Sequence, residues 1–470
     1  MADLTHRPIT SDAVVVVPGI MGTELREAAS GRLLWGLSPV RLAAAWTGPL
    51  GLEALHLTPA ERAGEYGRVA VGGLLRAVGY APFLRGIEPY TKLLAGIANV
   101  VADPAAVLEF GYDWRLPVAV NGARLALAAR NHLTAWQAHP AQRSAGQPAQ
   151  LVFVAHSMGG LVTLGALHED PELSGLTRAV VTLGTPYRGS VQAVTILNSG
   201  LGGPPVLPRQ RMRELSVTLP GVHDLLPRFA CLDQGRTVEP LTPEGVGQLG
   251  GDAELARTAR RYHRLLDGVA VPGLRAVVGV GQPTVQSVRV ADGVAHPQQF
   301  GFTVRPEGGL RRGADDRPLR TDLAGDGTVH LPAASRGGPA ITYLPVAHGA
   351  LGQDESAIQH VCAVLTEQDH ALGPPMGDGD LGLDLPDLVE VGSRWTVTVR
   401  GAVRSAGLVC TVQDIAAERR PVGIPLARRE GAVSGTVSLG APGLYRVSLD
   451  AGRRSPITQV LLAGGVSGGS

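Results

Sequence analysis

A serine in a tight strand-to-helix turn is the clearest chemical signal in this sequence. Ser157 stands in AHSMGG (155–160), after the apolar run LVFVA (151–155) and before the apolar stretch LVTLGAL (161–167). Such a turn is so sharp that it needs small residues beside the serine, and it lifts the hydroxyl to the carboxyl edge of a sheet. The pattern predicts that Ser157 is a nucleophile. The alternative is a chance H-S-M-G sequence in an ordinary strand-to-helix turn.

A serine nucleophile needs a base and an acid that orients the base, and in this arrangement they follow in the chain order serine, acid, histidine. Asp326 lies between two glycines in GDGTV (325–329), a composition that suits a tight loop with an inward carboxylate. We predict that Asp326 is the acid. Asp322 is its nearest competitor, and a solvated surface position is the alternative for either residue.

Four histidines follow Asp326, namely His330, His348, His360 and His370. His330 is too close to Asp326 for a loop of its own, His360 falls inside a helical pattern, and His370 comes after that helix. His348 lies just after a predicted strand, in the kind of loop where the base belongs. We therefore predict His348 as the base, with a solvated loop histidine as the alternative.

Acyl transfer also needs two backbone N–H donors for the oxyanion. Met158, directly after the nucleophile, should supply one. The segment VPGIMG (17–22) should supply the other, because its glycines let the backbone approach a substrate. We choose the N–H of Ile20, with Met21 in reserve. A plain strand-ending turn is the alternative for this segment.

Three other motifs carry weaker signals. DWR (113–115) follows a predicted strand, and a buried ion pair capped by an indole is favoured over substrate contact. The glycine pair at 279 and 281 lacks the third glycine of a dinucleotide loop. The aspartates of 378–384 lack the glycine position and terminal glutamate of a calcium loop, so no metal or other cofactor is predicted.

Composition narrows the functional classes. A formal net charge of +1 gives no electrostatic basis for nucleic-acid binding. The three cysteines lie far apart, which disfavours a zinc site or a disulfide framework. The N-terminus lacks a secretory pattern, and no apolar run approaches the roughly 20 residues of a membrane span. We therefore expect a cytoplasmic protein.

The surrounding pattern predicts an α/β fold with a doubly wound, mostly parallel sheet, because apolar strands alternate with amphipathic helices. Helices are indicated by the apolar faces of 87–97, 125–133 and 358–365. The predicted strands are 14–17, 106–112, 151–155, 178–183, 274–280 and 341–346.

Two insertions interrupt this alternation, at about 29–86 and 200–270, and they are interpreted as lid or cap segments, with ordinary surface structure as the alternative. The first insertion carries Trp35, Trp46 and Phe83. We predict a hydrolase domain over 1–372 that contains both insertions.

The composition changes after the hydrolase domain. Residues 373–386, rich in Gly, Pro and Asp, are predicted to form a linker. Period-two alternation then predicts a small antiparallel β-sandwich over 387–464, followed by a flexible tail, 465–470.

Taken together, these motifs resemble the lecithin:cholesterol acyltransferase family, which includes phospholipid:diacylglycerol acyltransferases and related phospholipases. The matching pieces run in family order across residues 13 to about 367. They are VVVVPGIMGTEL, LLWG, FGYDWRLP, FVAHSMGGLV, LGTPYRGS, HDLLP, GDGTV and AHGALG.

The resemblance implies an α/β-hydrolase fold with a lid and cap, and acyl transfer from a phospholipid or another ester. Ser157, Asp326 and His348 match the family's catalytic residues, Ile20 and Met158 match its oxyanion donors, and Trp35 matches a tryptophan near its mobile lid. Paired lid cysteines and a secretion signal are missing, which argues against action on lipoproteins. The C-terminal sandwich lies outside the resemblance.

The leading hypothesis is therefore a serine-dependent lipid O-acyltransferase, lipase or esterase that forms an acyl-Ser157 intermediate. Its partners would be a lipid or other acyl-ester substrate and, transiently, a membrane surface. The alternative is an idle hydrolase scaffold whose C-terminal sandwich binds a protein or glycan. In a third hypothesis, the sandwich docks on a partner while the hydrolase damages lipid.

Overall fold

The computed structural model describes most of the chain and divides it into two compact units. One unit lies within Met1–Gly279 and Pro283–Pro375, and the other within Val280–Gln282 and Met376–Ser470. The described residues are 9–36, 52–76, 90–144, 147–202, 208–305, 309–313, 315–336, 341–368, 382–386, 388–400, 402, 405, 407–414, 421–429, 432–450 and 457–464.

A six-stranded sheet forms the centre of the first unit, and all of its strand pairings are parallel. Its strands are rich in Val and Ala, and most are buried on both faces, as a parallel sheet covered on both sides requires. They are β1 Ala13–Val17, β2 Val107–Glu109, β3 Leu151–His156, β4 Thr177–Leu183, β5 Leu274–Gly279 and β6 Ile341–Leu344. Each matches a predicted strand, although β2 and β6 are shorter than expected.

The strands lie in the order β6-β5-β4-β3-β1-β2. Val15 of β1 pairs with Phe153 of β3 on one side and with Leu108 of β2 on the other. The chain therefore winds in opposite directions from the β1–β3 boundary. Ligands of open α/β sheets bind at such a boundary, beyond the carboxyl ends of the strands. The loops after β1 and β3 meet there. The strand order and the parallel pairings are those of an α/β-hydrolase sheet.

Helices flank the sheet and pack in close pairs. Gly122 and Gly165 let two of them approach, since a Cβ at Gly122 would lie 2.8 Å from the Cα of Gly165. The longer helices are α1 Thr91–Ala98, α2 Val118–Ala138, α3 Met158–Glu169, α4 Val191–Ser199, α5 Ala253–Leu266 and α6 Glu355–Leu365. Other described helices are Pro59–Arg62, Pro140–Arg143, Arg209–Ser216, Pro220–His223 and Pro243–Gln248.

Small sheets include strands of both predicted insertions. In the first insertion, strands Leu33–Trp35 and Val69–Leu74 pair with Thr23–Glu27, which lies just before the predicted boundary, and the three form an antiparallel sheet. In the second, strands Ala230–Asp233 and Val238–Pro240 pair. Among the described residues of this unit, one 3-10 helix lies in the first insertion, Glu53–Leu55. Others lie outside both insertions, at Pro104–Ala106, Pro171–Leu176, Leu331–Ala333 and His348–Ala350.

A further excursion between β5 and β6 was not expected from the sequence. The hairpin Ser287–Ala291 and Val294–Gln298 extends the sheet of the second insertion by pairing with Ala230–Asp233. A two-residue pair, Gly301–Phe302 with Arg320–Thr321, follows it. This excursion leads the chain to the loop that contains Asp326.

The second unit consists of two sheets around their own apolar core. Trp395, Val397 and Val399 alternate toward that core. One sheet contains Gly382–Asp384, Arg394–Arg400, Ala432–Ser438 and Ala427–Arg429, and the other contains Leu388–Glu390, Ile457–Gly464, Gly443–Asp450, Val409–Asp414 and Val422–Ile424.

The pairings in this unit are antiparallel except that Leu388–Glu390 runs parallel to Ile457–Gly464. Its first strand begins at 382, inside the segment predicted as linker. Most of that segment lies outside the described residues.

Candidate active site

Ser157 sits in a strained turn between β3 and α3. Its backbone φ of 52° and ψ of −125° lie in a region that non-glycine residues rarely adopt. Its N–H donates to the carbonyl of Leu183, which fixes the turn at the end of the sheet. A Cβ at Gly159 would lie 2.5 Å from the Pro18 carbonyl oxygen, and one at Gly160 would lie 2.1 Å from Thr185 Oγ1. Close packing therefore explains the small residues of this motif.

His348 faces this serine, as the sequence predicted. His348 Nε2 lies 2.8 Å from Ser157 Oγ, and His348 Nδ1 lies 2.7 Å from Asp326 Oδ2. Because a carboxylate only accepts, Nδ1 carries the proton and Nε2 is the acceptor for the serine hydroxyl. The histidine also donates its backbone N–H to the carbonyl of Asp326 at 2.8 Å. His348 and Asp326 are thus joined through both side chain and backbone.

The Asp326 carboxylate is fixed on both of its oxygens. Oδ2 contacts the imidazole, and Oδ1 accepts from the N–H groups of Thr328 at 3.0 Å and Val329 at 2.7 Å. Asp326 is 1% exposed. Two glycines leave room for it, since a Cβ at Gly279 would lie 2.5 Å from Asp326 Cβ, and one at Gly184 would lie 3.1 Å from Asp326 Oδ2.

The competing residues have other partners. Asp322 Oδ1 accepts from Gln286 Nε2 at 2.6 Å and from the N–H of Ala324. The ring of His330 packs on Phe229 with centroids 4.5 Å apart. His360 lies within α6, and His370 lies outside the described residues.

The segment that follows β1 lies against Ser157. A Cβ at Gly19 would lie 2.9 Å from Ser157 Cβ. Met158 is the first residue of α3, so its N–H has no acceptor within the helix. Ile20 directly follows Gly19 in the loop. These positions suit two oxyanion donors, and that role of Ile20 and Met158 stays a prediction.

Trp35 is buried in the structure. The resemblance matches it to a tryptophan near a mobile lid, and that role stays a prediction. Its side chain is 5% exposed and its Nε1–H donates to the carbonyl of Met21 at 2.8 Å. It also meets Trp114 edge-on with centroids 5.5 Å apart. Trp35 therefore supports the loop after β1 from the core. The other aromatic residues of that insertion, Trp46 and Phe83, lie outside the described residues.

Sequence analysis missed two side chains beside the site, His156 and Tyr90. The ring of His156 lies 5.2 Å from that of His348, centroid to centroid. Tyr90 Oη lies 3.1 Å from His156 Nδ1. Burial, together with the charge that His348 can carry, holds the pKa of His156 well below its usual range. His156 is therefore neutral.

The DWR motif is structural, as favoured from the sequence. Arg115 is fully buried and pairs with the carboxylates of Asp113 at 2.7 Å and Glu61 at 2.8 Å. It also donates to the carbonyl of Leu55. This network ties the first insertion to the loop after β2.

The described residues contain neither a metal-ligand cluster nor a membrane-spanning helix. No three His, Cys, Asp or Glu side chains within the described ranges gather as a metal site would require. Every helix in the described part of the chain is too short or too polar to cross a membrane.

Comparison with known proteins supports the family resemblance. Residues 66–242 match the family model of lecithin:cholesterol acyltransferase, and this segment includes Ser157. The resemblance inferred from the motifs is therefore confirmed there. No curated protein matches the chain.

Several solved structures are similar at low identity. A structure of the Tle4-Tli4 complex is 16% identical with a TM-score of 0.49, covering 76% of this chain and 98% of that one. The mature lipase BlEst2 of Bacillus licheniformis is 14% identical with a TM-score of 0.30, covering 77% and 96%. Phospholipase PlaB of Legionella pneumophila is 9% identical with a TM-score of 0.29, covering 96% and 90%. Identities this low do not carry a function from one chain to another.

Proposed function

We propose that this chain, which resembles the lecithin:cholesterol acyltransferase family, cleaves a lipid acyl ester through an acyl-Ser157 intermediate. The observation that carries the proposal is the continuous chain from Ser157 Oγ to His348 to Asp326, at 2.8 Å and 2.7 Å. Each contact is within the range of a charge-assisted or ordinary hydrogen bond. The family match supports an acyl-ester hydrolase or acyltransferase.

In the proposed reaction, Ser157 Oγ attacks the ester carbonyl while His348 Nε2 takes its proton. Asp326 holds the imidazole in the Nδ1–H tautomer and stabilises the imidazolium that forms. The tetrahedral oxyanion accepts from the N–H groups of Ile20 and Met158. When the intermediate collapses, the ester C–O bond breaks and His348 gives its proton to the leaving alcohol.

The second half of the reaction removes the acyl group from the serine. Water or an acceptor alcohol gives its proton to His348 and attacks the acyl carbonyl, and the proton returns to Ser157 Oγ as the acyl group leaves. Water yields a free acid, and an alcohol yields a new ester. The chain is then a hydrolase in the first case and an O-acyltransferase in the second.

The test is covalent labelling of the purified protein with a fluorophosphonate, followed by peptide mass mapping. Wild type should label at Ser157, and Ser157→Ala should neither label nor hydrolyse a short p-nitrophenyl ester. Loss of such a nucleophile costs roughly 10⁶ in kcat in related chemistry. Ser199→Ala is a matched control, because that hydroxyl donates to the carbonyl of Thr195 within α4. Unlabelled wild type, or a Ser157→Ala variant that keeps its activity, would refute the proposal.

A second experiment separates transfer from hydrolysis. Phospholipid vesicles are incubated with the enzyme and a long-chain alcohol, and the products are separated by mass spectrometry. New ester indicates an acyltransferase, and free acid alone indicates a hydrolase. Lack of both products in the wild type, with short esters still cleaved, would restrict the substrate to soluble esters.

A further inference from the structure

Tyr90 and His156 join three loops whose relative positions matter for the proposed reaction. Tyr90 is the residue before α1, and His156 is the last residue of β3, directly before Ser157. Both are 1% exposed. The contacts run from the Gly19 N–H to Tyr90 Oη at 2.8 Å, from Tyr90 Oη to His156 Nδ1 at 3.1 Å, and from His156 Nε2 to the carbonyl of His348 at 3.3 Å.

The end groups and the lowered pKa of His156 together give each hydrogen bond in this chain a direction. A carbonyl oxygen only accepts, so His156 Nε2 carries a proton and donates to His348. Burial lowers the pKa of His156 and so favours the neutral imidazole, in which Nδ1 is the bare nitrogen that accepts. Tyr90 then donates its hydroxyl proton to Nδ1, and the same oxygen accepts from Gly19. No donor faces another donor.

These bonds act where small displacements matter. Gly19 precedes Ile20, and a Cβ at Gly19 would lie 2.9 Å from Ser157 Cβ and 3.0 Å from His156 Nδ1. His348 holds the other end of the chain through its own backbone. A shift of about 1 Å between reacting groups can cost about a hundredfold in rate.

We infer that Tyr90 and His156 are positioning residues that hold the loop after β1 and the base loop in fixed geometry on either side of Ser157. The inference rests on the proposed function of Ser157. Neither side chain exchanges a proton with the substrate, and neither is a catalytic residue. Their effect should therefore appear in kcat more than in KM.

The first test removes one hydroxyl. Tyr90→Phe should lower kcat for a soluble ester by about ten- to a hundredfold, since it removes the hydroxyl that accepts from the Gly19 N–H and contacts His156 Nδ1. KM should change little. Tyr187→Phe is the matched control, because that buried hydroxyl donates to Thr182 Oγ1 instead. Equal kcat losses in both variants would overturn the inference by making the effect a general one of lost buried hydroxyls.

The second test separates the Tyr90–His156 contact from the contact of His156 with the His348 carbonyl. The two contacts together are called the link below. In His156→Gln, the side-chain N–H can reach the position of Nε2 and keep the His348 carbonyl paired, while the acceptor for Tyr90 is lost. Tyr90→Phe should then cost a smaller factor in the His156→Gln background than in wild type, because the two changes break a shared bond. Identical factors in the two backgrounds would overturn the link.

A third measurement does not depend on activity. Nitrogen NMR of histidine-labelled protein should show His156 as the neutral Nε2–H tautomer between about pH 5 and 8, where an ordinary histidine titrates. An Nδ1–H tautomer or a cation would overturn the link whatever the activity. A wild type that neither hydrolyses esters nor labels at Ser157 would instead overturn the proposed function.

Discussion

Replacement of Asp326 by asparagine should trap the base in its unproductive tautomer. The two backbone N–H groups of Thr328 and Val329 donate to Oδ1. In Asp326→Asn, the amide oxygen has to stay at that position, because the amide nitrogen would place donor against donor. The amide nitrogen then faces His348 Nδ1 and donates to it. The imidazole proton is forced onto Nε2, where it blocks acceptance of the Ser157 proton.

The expected loss follows from that block. The equivalent substitution in serine proteases leaves the geometry intact and lowers kcat by about 10⁴, and we expect a loss of that order here. Because asparagine has nearly the same shape and keeps both N–H bonds, the protein should fold normally. The assay is hydrolysis of a short p-nitrophenyl ester, with fluorophosphonate labelling of Ser157 measured in parallel. Asp322→Asn is the control, since its carboxylate binds Gln286. An Asp326→Asn variant with a tenth of wild-type kcat, or the larger loss in Asp322→Asn, would refute this account of the acid.

Three further predictions follow from the packing. Trp35→Ala should lower turnover of vesicle phospholipid and of a soluble ester together, and should destabilise the protein by about 3–5 kcal/mol in chemical denaturation, whereas selective loss on vesicles would restore the lid hypothesis. Gly184→Ala should lower kcat, because its Cβ would lie 3.0 Å from His348 Nδ1 at a backbone φ of +63°, and an unchanged kcat would show that the site accommodates the methyl group. A chain that ends after Pro375 should fold and hydrolyse soluble esters if the hydrolase domain is separable, and insoluble protein would contradict that.

The sequence was sufficient for the central sheet because its strands are continuous apolar runs. A run such as Val14–Val17 is too short for a typical helix, and its length and its β-branched residues match a buried parallel strand. The hairpin at 287–298 was missed because its alternation is weak and partly exposed. A proline inside its second strand further obscured the pattern.

The predicted nucleophile, base and acid could be placed because each carries a local signal. Ser157 lies between the small residues Ala155 and Gly159, Asp326 lies between two glycines, and His348 follows a predicted strand. Tyr90 has no such signal, since it lies 66 residues from His156 and its position fits an ordinary apolar helix face. The burial of Trp35 could not be predicted from the sequence, because an apolar segment is equally compatible with an exposed lid and with a buried sheet.

Two residues of the site have strained backbone conformations, and many buried contacts hold them in place. Ser157 and Met21 both have positive φ, at 52° and 63°, and they lie on the two loops that meet at the β1–β3 boundary. Each such residue costs of order 1–3 kcal/mol and persists only where its surroundings over-determine it.

The surroundings provide that constraint from several directions. Trp35 donates to the Met21 carbonyl at 2.8 Å, and Tyr112 donates to the Pro18 carbonyl at 3.0 Å. Tyr90 accepts from Gly19 at 2.8 Å, and it lies on the path to His348. These donors and acceptors come from three separate segments, so no single loop sets the geometry of the loop after β1. The strained conformations are therefore maintained by the core, and the groups proposed to react are held in position before any substrate binds.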